Sequence, residues 1–415
     1  MLPPTAAAQG SLRIQRPAWQ TAVRALLGRQ RVCAWGPLRW SAAGPDLLLL
    51  VDDLRPAEEL PLGAQQPPRS GWCVVLRGPS GEAPPALESL ANLLPNLQLR
   101  PGQRVVVVAL PATHEAGVLA FWTDGAAIHP LQSLALVGPG QRQLQSTSDP
   151  PLSAATPADL LLSPAASLRH SRTLGGLGES LFHRLRQQTV TVVGLGRLGW
   201  QAAFALAGLG IGQLRLIDPD VVGLENLDAM PGLVVQGVAE GVHTAKGRHL
   251  AARRCDLLLS AVDDDVARLA VSLLAAESLT PHLDLASSLQ REAGGGVTRQ
   301  GDCRLLMPGR GCVVCVGGLA DREGVLERLR GPEGSLRRGR PLEWQVERAG
   351  SLGYWNGVVV GSGLELYLGL LRGEHDSFWQ RLWWRPGEGL ESRGSGLERG
   401  SDCDYCGRWG GSQPP

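Results

Sequence analysis

Lysine is all but missing from this chain: Lys246 is the single one among 415 residues, and arginine fills the rest of its 40 basic positions. Phenylalanine and tyrosine are scarce too, with 4 Phe and 3 Tyr beside 12 Trp, 54 Gly and 30 Pro. GC-rich codon bias explains this pattern more simply than avoidance of lysine by a protein that handles a lysine-attached modifier. An excess of either charge is also lacking. The formal net charge is +1, so nothing in the balance directs the chain to nucleic acid or to an anionic membrane. No apolar run approaches the roughly 20 residues of a membrane-spanning helix. Nothing at the N-terminus resembles a secretory signal peptide, and the expectation is a reducing, cytoplasmic setting.

What is present is concentrated between Gln187 and Leu227, QQTVTVVGLGRLGWQAAFALAGLGIGQLRLIDPDVVGLENL. Val190 to Val193 form a β-branched run suited to a strand buried on both faces. Gly194, Gly196 and Gly199 follow at GxGxxG spacing: the first for a tight turn, the second for approach of a pyrophosphate, the third for close helix packing. Trp200 to Leu209 supplies the helix. A second strand, Gln213 to Ile217, ends in Asp218, about 20 residues after the glycines, where a carboxylate can hold ribose hydroxyls. By itself this pattern suits a nicotinamide dehydrogenase.

The cysteines add a separate signal. Cys312-Val313-Val314-Cys315 and Cys403-Asp404-Tyr405-Cys406 are two CxxC pairs, each near glycine. Four such thiolates suit a closed tetrahedral zinc site, with disulfides as the alternative. Cys33, Cys73, Cys255 and Cys303 have no metal spacing and read as buried small residues.

The continuation Asp218-Pro219-Asp220, followed by Asn226-Leu227, gives DPDxVxxxNL in register with the glycines, and here the chain resembles the ThiF/MoeB and ubiquitin-activating (E1-like) family. The resemblance spans roughly the C-terminal 60% of the chain. It implies an α/β fold, a Rossmann-like adenylation domain with a structural zinc site. It also implies ATP and magnesium as cofactors beside zinc, with Gly194, Gly196, Gly199, Asp218, Asp220 and Asn226 around the nucleotide. Ser171 to Leu185 looks like the family's leading helix, whose arginine, Arg172 here, reaches the nucleotide site of a dimer partner. Cys255 to Asp265 looks like a later strand that places Asp263 for magnesium and phosphates, although Asp264 or Asp265 also suits a helix N-cap. Lys246 falls where the family keeps a phosphate-binding lysine.

Two departures weigh against catalysis. The family's NLxR motif would put arginine at position 229, which is Ala229 here; Arg197 or Arg248 are the substitutes at hand. The stretch from Lys246 to Asp263 is too short for the usual strand and crossover helix. In a second alignment Leu233 to Val242 is therefore the middle strand and Lys246 is incidental. Members that form a thioester place its cysteine between the zinc pairs, and Val316 to Asp402 contains none. Cys303 is the nearest thiol, and Ser351 the hydroxyl alternative. Ser351 to Leu371 reads as a glycine-interrupted apolar helix, and the Trp-rich Phe378 to Arg385 as a strand.

Residues 1–148 read as a smaller accessory α/β domain, 149–168 as a linker, and 169–415 as the adenylation domain. Leu47 to Val51 and Arg104 to Leu110 are strand candidates; Pro17 to Leu27 and Ala86 to Leu94 are helical. Bacterial chains resembling this one often carry a JAB-type peptidase fold in this place. The zinc ligands of a working JAB site are missing, since no HxH occurs and the lone His-Pro pair is His129-Pro130, so a metal-free, JAB-like partner-recognition module is expected.

Three function classes follow. One is an E1-like enzyme that adenylates the C-terminal glycine of a ubiquitin-like or sulfur-carrier protein in a bacterial pathway, with a conjugating enzyme as a further partner and a homodimer or heterodimer as the assembly. Another is a pseudoenzyme that serves as scaffold or inactive partner subunit. The third is an NAD-dependent oxidoreductase.

Overall fold

The computed structural model describes residues 9–28, 33–43, 46–57, 71–77, 103–110, 118–124, 127–144, 170–219, 235–242, 244–252, 255–291, 296–319, 324–325, 351–400, 403 and 405. The chain divides into two compact units, Met1–Leu162 with Ser412–Pro415, and Ser163–Gly411. The expected linker and the Ala86 to Leu94 helix lie outside the described residues.

The first unit is strand-rich. Its elements are β1 (Gln9–Gln15), α1 (Arg16–Leu27), β2 (Cys33–Ala43), β3 (Asp46–Val51), β4 (Arg55–Ala57), β5 (Gly71–Arg77), β6 (Val105–Leu110), β7 (Leu119–Thr123), β8 (Ile128–Val137) and β9 (Arg142–Leu144). Neighbours pair in the order β1-β3-β2-β5-β6-β7-β8, and β8 pairs back to β1, which closes a barrel and leaves those seven strands without an open edge. β4 adds to β2 and β9 to β8. Alternation turns Leu47, Leu49 and Val51, and likewise Val106, Val108 and Leu110, into one core. α1 begins with Pro17 in its first turn and buries Trp19, Ala22, Val23 and Leu26 at helical spacing in that same core. The expected α/β module is thus a barrel wrapped around one helix among the described residues.

The second unit runs α2 (Ser171–Leu177), α3 (Glu179–Gln187), β10 (Thr189–Val193), α4 (Arg197–Leu209), β11 (Gln213–Asp218), β12 (Val235–Ala239), α5 (Ala245–Ala252), β13 (Leu257–Ser260), α6 (Asp265–Glu277), β14 (His282–Arg291), β15 (Val297–Leu306), α7 (Gly353–Arg372), β16 (Phe378–Arg385) and β17 (Gly389–Gly396). The sheet order is β12-β11-β10-β13-β14-β15-β16-β17. β12 through β14 are parallel neighbours, and β14 through β17 antiparallel. From β10 the chain builds outward to β11 and β12 on one side, then returns to β13 and β14 on the other. This is the switch point of a Rossmann-like α/β sheet, where ligands meet the carboxyl ends of the strands.

The leading helix read over Ser171 to Leu185 is two helices. Gly178 separates them at φ +78, a conformation that glycine adopts without a side-chain clash. The strand β12 falls inside Leu233 to Val242, and α5, which carries Lys246, follows it rather than preceding it. Among the described residues only α5 and β13 occupy the chain between Lys246 and Asp263, so the short spacing is met by placing the middle strand upstream.

One backbone contact seats α4. A Cβ on Gly199 would overlap the Gly194 carbonyl, backbone against backbone, whereas one on Gly196 would meet nothing within 4 Å. Gly199→Ala should therefore cost about 2 kcal/mol or more, measured as a lower urea midpoint with unchanged slope. Gly196→Ala should stay within about 0.5 kcal/mol. Equal stability of the two variants would refute this packing role.

Candidate functional site

The carboxyl ends of β10, β11 and β13 converge. Gly194 leaves β10 at φ +86 and its N–H donates to Ile217 O at 2.9 Å. The next amide, Leu195 N–H, donates to the Asp218 carboxylate at 2.5 Å. Ala261 N–H donates to Val193 O at 3.0 Å, and a Cβ on Gly194 would stand 2.8 Å from Ala261 O. The turn is thus clamped between the ends of β11 and β13. Gly196 is the N-cap of α4 and no side chain caps that end, so the first-turn amides face outward with the positive end of the helix dipole. An open cradle of backbone N–H groups at a helix start suits a phosphate.

Asp263 is exposed just past β13. Its neighbour Asp264 is the N-cap of α6, accepting from Ala267 N–H at 3.2 Å, so the capping reading belongs to Asp264. Asp265 pairs with Arg268. Lys246 ion-pairs with Glu240 at 2.9 Å across the loop between β12 and α5. Arg172 is exposed on α2. Asp220, Asn226 and Cys406 lie outside the described residues. Of the predicted set, Gly194, Gly196, Gly199 and Asp218 come together at the turn, where Asp218 contacts the turn's backbone.

Arg197 opens α4 and its Nη1 donates to Ser351 O at 3.2 Å. Ser351 Oγ accepts from Asn356 Nδ2 at 2.9 Å, so that hydroxyl is tied to α7. Asn356 is fully buried with its Oδ1 unpartnered, and Gln201 Oε1 on α4 is also bare. Cys303 is buried, its thiol facing Val359 O, and burial pushes its pKa upward. It is a packing residue, unsuited to nucleophilic work.

The cysteine cluster is formed by three described thiols. Cys312 Sγ lies 3.8 Å from Cys315 Sγ and 3.6 Å from Cys403 Sγ. A tetrahedral site with metal–sulfur bonds of about 2.3 Å has sulfur–sulfur edges of about 3.8 Å. Gly400 N–H donates to Cys315 Sγ, and Val313 N–H binds Ser272 Oγ, fixing the loop to α6. These three sulfurs could hold a metal ion.

A buried charge network under the β13 end went unread in the sequence. Asp284, fully buried on β14, accepts from Arg268 Nε at 3.1 Å, Arg304 Nη1 at 2.7 Å and Ser260 Oγ at 2.7 Å. Ser260 Oγ also meets His282 Nε2 at 2.8 Å, while His282 Nδ1 has no partner. Ser, His and Asp here do not form a hydrolytic triad: the carboxylate binds the serine rather than the imidazole, and all three are buried. Burial alone would raise the Asp284 pKa, but the two guanidiniums and His282 hold it at about 2. His282 is lowered to about 4, chiefly by burial, with Arg268 and Arg304 adding to it against the pull of Asp284. The available signal was weak: a lone Arg268 three residues after Asp265 in an apolar helix, and single charges in apolar strands.

Residues 169–232 match the model of the ThiF family. Among curated proteins, ubiquitin-like modifier-activating enzyme 5 of Oryza sativa subsp. japonica is 27% identical over 223 residues, covering 45% of this chain and 49% of that protein. The Arabidopsis thaliana enzyme of that name is 26% identical over 226 residues, with the same coverages. The chain thus spans about half the length of these relatives. Among solved structures, E. coli MccB with MccA-N7isoASN gives a TM-score of 0.41 at 16% identity, covering 57% of this chain and 74% of that one. PaaA gives 0.40 at 16%, covering 61% and 87%. The residues that match the ThiF family model contain the glycine turn, α4, β11 and Asp218.

Both acid-labile groups of the network act in one direction. The folded state holds His282 neutral, so between about pH 6.5 and about pH 4 unfolding takes up a proton and stability falls with falling pH. Asp284 adds a further loss from about pH 4 down to about pH 2. A His282 pKa lowered to about 4 from 6.5 corresponds to about 3 kcal/mol. His282→Gln should flatten the upper part of the denaturation free-energy profile; an unaltered profile would remove His282 as its source.

Proposed function

We propose that the chain binds ATP with magnesium at the Gly194 to Gly199 turn and adenylates a C-terminal carboxylate, that of a ubiquitin-like or sulfur-carrier protein. The observation that carries this reading is the uncapped start of α4 beside Gly196, where a Cβ would meet nothing within 4 Å. Phosphate oxygens would accept from the turn and first-turn amides. Asp218, at the end of β11, would hold the ribose, and the exposed carboxylate of Asp263 would hold magnesium. Magnesium would neutralise phosphate charge. The substrate carboxylate attacks the α-phosphorus in line: a carboxyl O–P bond forms, the bond to the bridging oxygen breaks, and pyrophosphate leaves. The turn contributes position and charge stabilisation, with no proton to move at the attacking oxygen. Arg172 would serve the site of a second copy or of a partner subunit, and residues 1–148 would recognise a partner.

The ion pair of Lys246 with Glu240 favours a second reading, a pseudo-E1 scaffold or inactive subunit. Residues 219–234 contain no lysine or arginine, and position 229 is alanine. Arg197 is then the cation nearest the turn in sequence.

Calorimetry with ATP and magnesium separates the readings. A working site binds in the micromolar range; Gly196→Ala and Asp263→Ala each weaken binding tenfold or more, about 1.4 kcal/mol. No measurable binding would leave the scaffold reading. A tenfold loss in Lys246→Ala would mean that this lysine exchanges Glu240 for phosphate, and an unchanged affinity that it does not.

We also propose that Cys312, Cys315, Cys403 and Cys406 hold zinc, supported by the sulfur spacing of the first three. Elemental analysis should find about one zinc per chain, lost in Cys312→Ser with a lowered melting temperature. A fully folded, metal-free preparation would end this assignment.

A further inference from the structure

The barrel of the first unit has an unusual mouth. The alternation that turns Val106, Val108 and Leu110 into the core also turns Arg104, just before β6, inward. Its guanidinium carbon lies 3.7 Å from the centroid of the Trp40 ring and 5.3 Å from that of Trp122. Trp122 is 3% exposed and stacks on His129 at 4.3 Å. Gly10 makes room for it, since a Cβ on that residue would stand 2.8 Å from the Trp122 Nε1. One cation is therefore held between two indoles at the end of a closed barrel.

Among the described residues these donors have no acceptor. Arg104 Nη1, Trp40 Nε1 and Trp122 Nε1 are all buried without a hydrogen-bond partner. Arg104 forms no ion pair among the described residues. Asp124 offsets only part of the burial that lowers the guanidinium pKa. Each buried, unsatisfied donor costs the desolvation of its N–H group with no bond in return. The guanidinium lies between the rings that carry the other two donors, and an oxyanion in this cluster would offset the cation first. A guanidinium presents a planar fork that matches two oxygens of a carboxylate or phosphate, and indole walls that exclude water strengthen such a contact. Barrel mouths are also a recurrent place for small ligands.

We propose that this barrel mouth is a binding site for a small oxyanion, a carboxylate or phosphate, held by the Arg104 fork and the indole N–H groups of Trp40 and Trp122. The site belongs to the first unit and is independent of the ATP reading of the second.

The test is titration of the 15N-labelled full chain, followed through its indole N–H signals, with inorganic phosphate, with N-acetylglycine, and with N-acetylglycinamide as the uncharged control. Trp40→Phe and Trp122→Phe assign the two signals. Both should shift saturably with millimolar or tighter affinity for phosphate or for N-acetylglycine, and the probe that acts identifies the source of the oxyanion. Arg104→Lys should weaken binding at least tenfold. Arg104→Met, which keeps bulk against Trp40 without charge, should abolish it. Phosphate also addresses the glycine turn, where Trp200 reports separately, so a shift at Trp200 alone counts against the barrel site. The proposal is overturned by no saturable shift at Trp40 and Trp122, by an equal response to the amide, or by shifts that persist in Arg104→Met. The comparison of acid with amide on the unmodified chain decides the matter even where a variant fails to fold.

Discussion

The Gly194 carbonyl occupies the space in which any side chain at position 199 would stand, and the second unit's candidate site is arranged around that contact. It brings the start of α4 against the turn, so the helix amides open directly beyond the end of β10. Asp218 and Ile217 hold the same turn from β11 through its amides, and Ala261 holds β10 from β13. On the far side Gln201 of α4 faces Gly353 and Gly357 of α7, where an added Cβ would meet it only in ordinary van der Waals contact. These contacts are mostly backbone contacts. A chain with a strongly biased side-chain repertoire keeps them, because they require glycine spacing and strand length rather than particular polar residues.

A second constraint acts where the sheet changes from parallel to antiparallel. β14 is parallel to β13 and antiparallel to β15, and Asp284 sits in this strand bound from β13, β15 and α6 at once. Buried ion pairs add little over well-packed apolar residues, but an unmatched buried charge is costly, so such a cluster selects one register. A slip of β14 by one residue would turn Asp284 to the opposite face and take from Arg268 and Arg304 the buried carboxylate they share, leaving them Asp265 and Asp302 as their separate partners. Arg268 also donates to Val262 O at 2.8 Å, which carries that register into the loop bearing Asp263.

The readable and unreadable parts of the sequence divide along physical lines. Strands buried on both faces were legible because their pattern is local: the β10 and β11 segments match the apolar runs, while half-buried β16 matches the Trp-rich run and α7 the long apolar helix. The two-helix break at Gly178 was obscured by an amphipathic pattern that runs across it. The barrel closure between β1 and β8 joins residues more than a hundred positions apart, and no local pattern encodes such a pairing. The Asp284 network was invisible for the same reason, each charge appearing alone in its own element. The order of β12 and α5 was left between two alignments because glycine and valine leave strand and loop equally open.

Charge supply bears most directly on the candidate site. Asp218 and Asp263 bring carboxylates to the ends of β11 and β13, while the described cations near the turn are Arg197, with one nitrogen already given to Ser351, and the partial charge of the α4 terminus. Lys246 is exposed and held by Glu240, and Arg268 and Arg304 are committed to Asp284. A triphosphate adds further negative charge to this balance. On the ATP reading, the shortage of cations among the described residues gives magnesium a large share of the affinity and makes an arginine brought by a second chain more valuable here than in a site that keeps its own. On the scaffold reading no triphosphate enters the turn, and the same charge balance among the described residues makes no such demand.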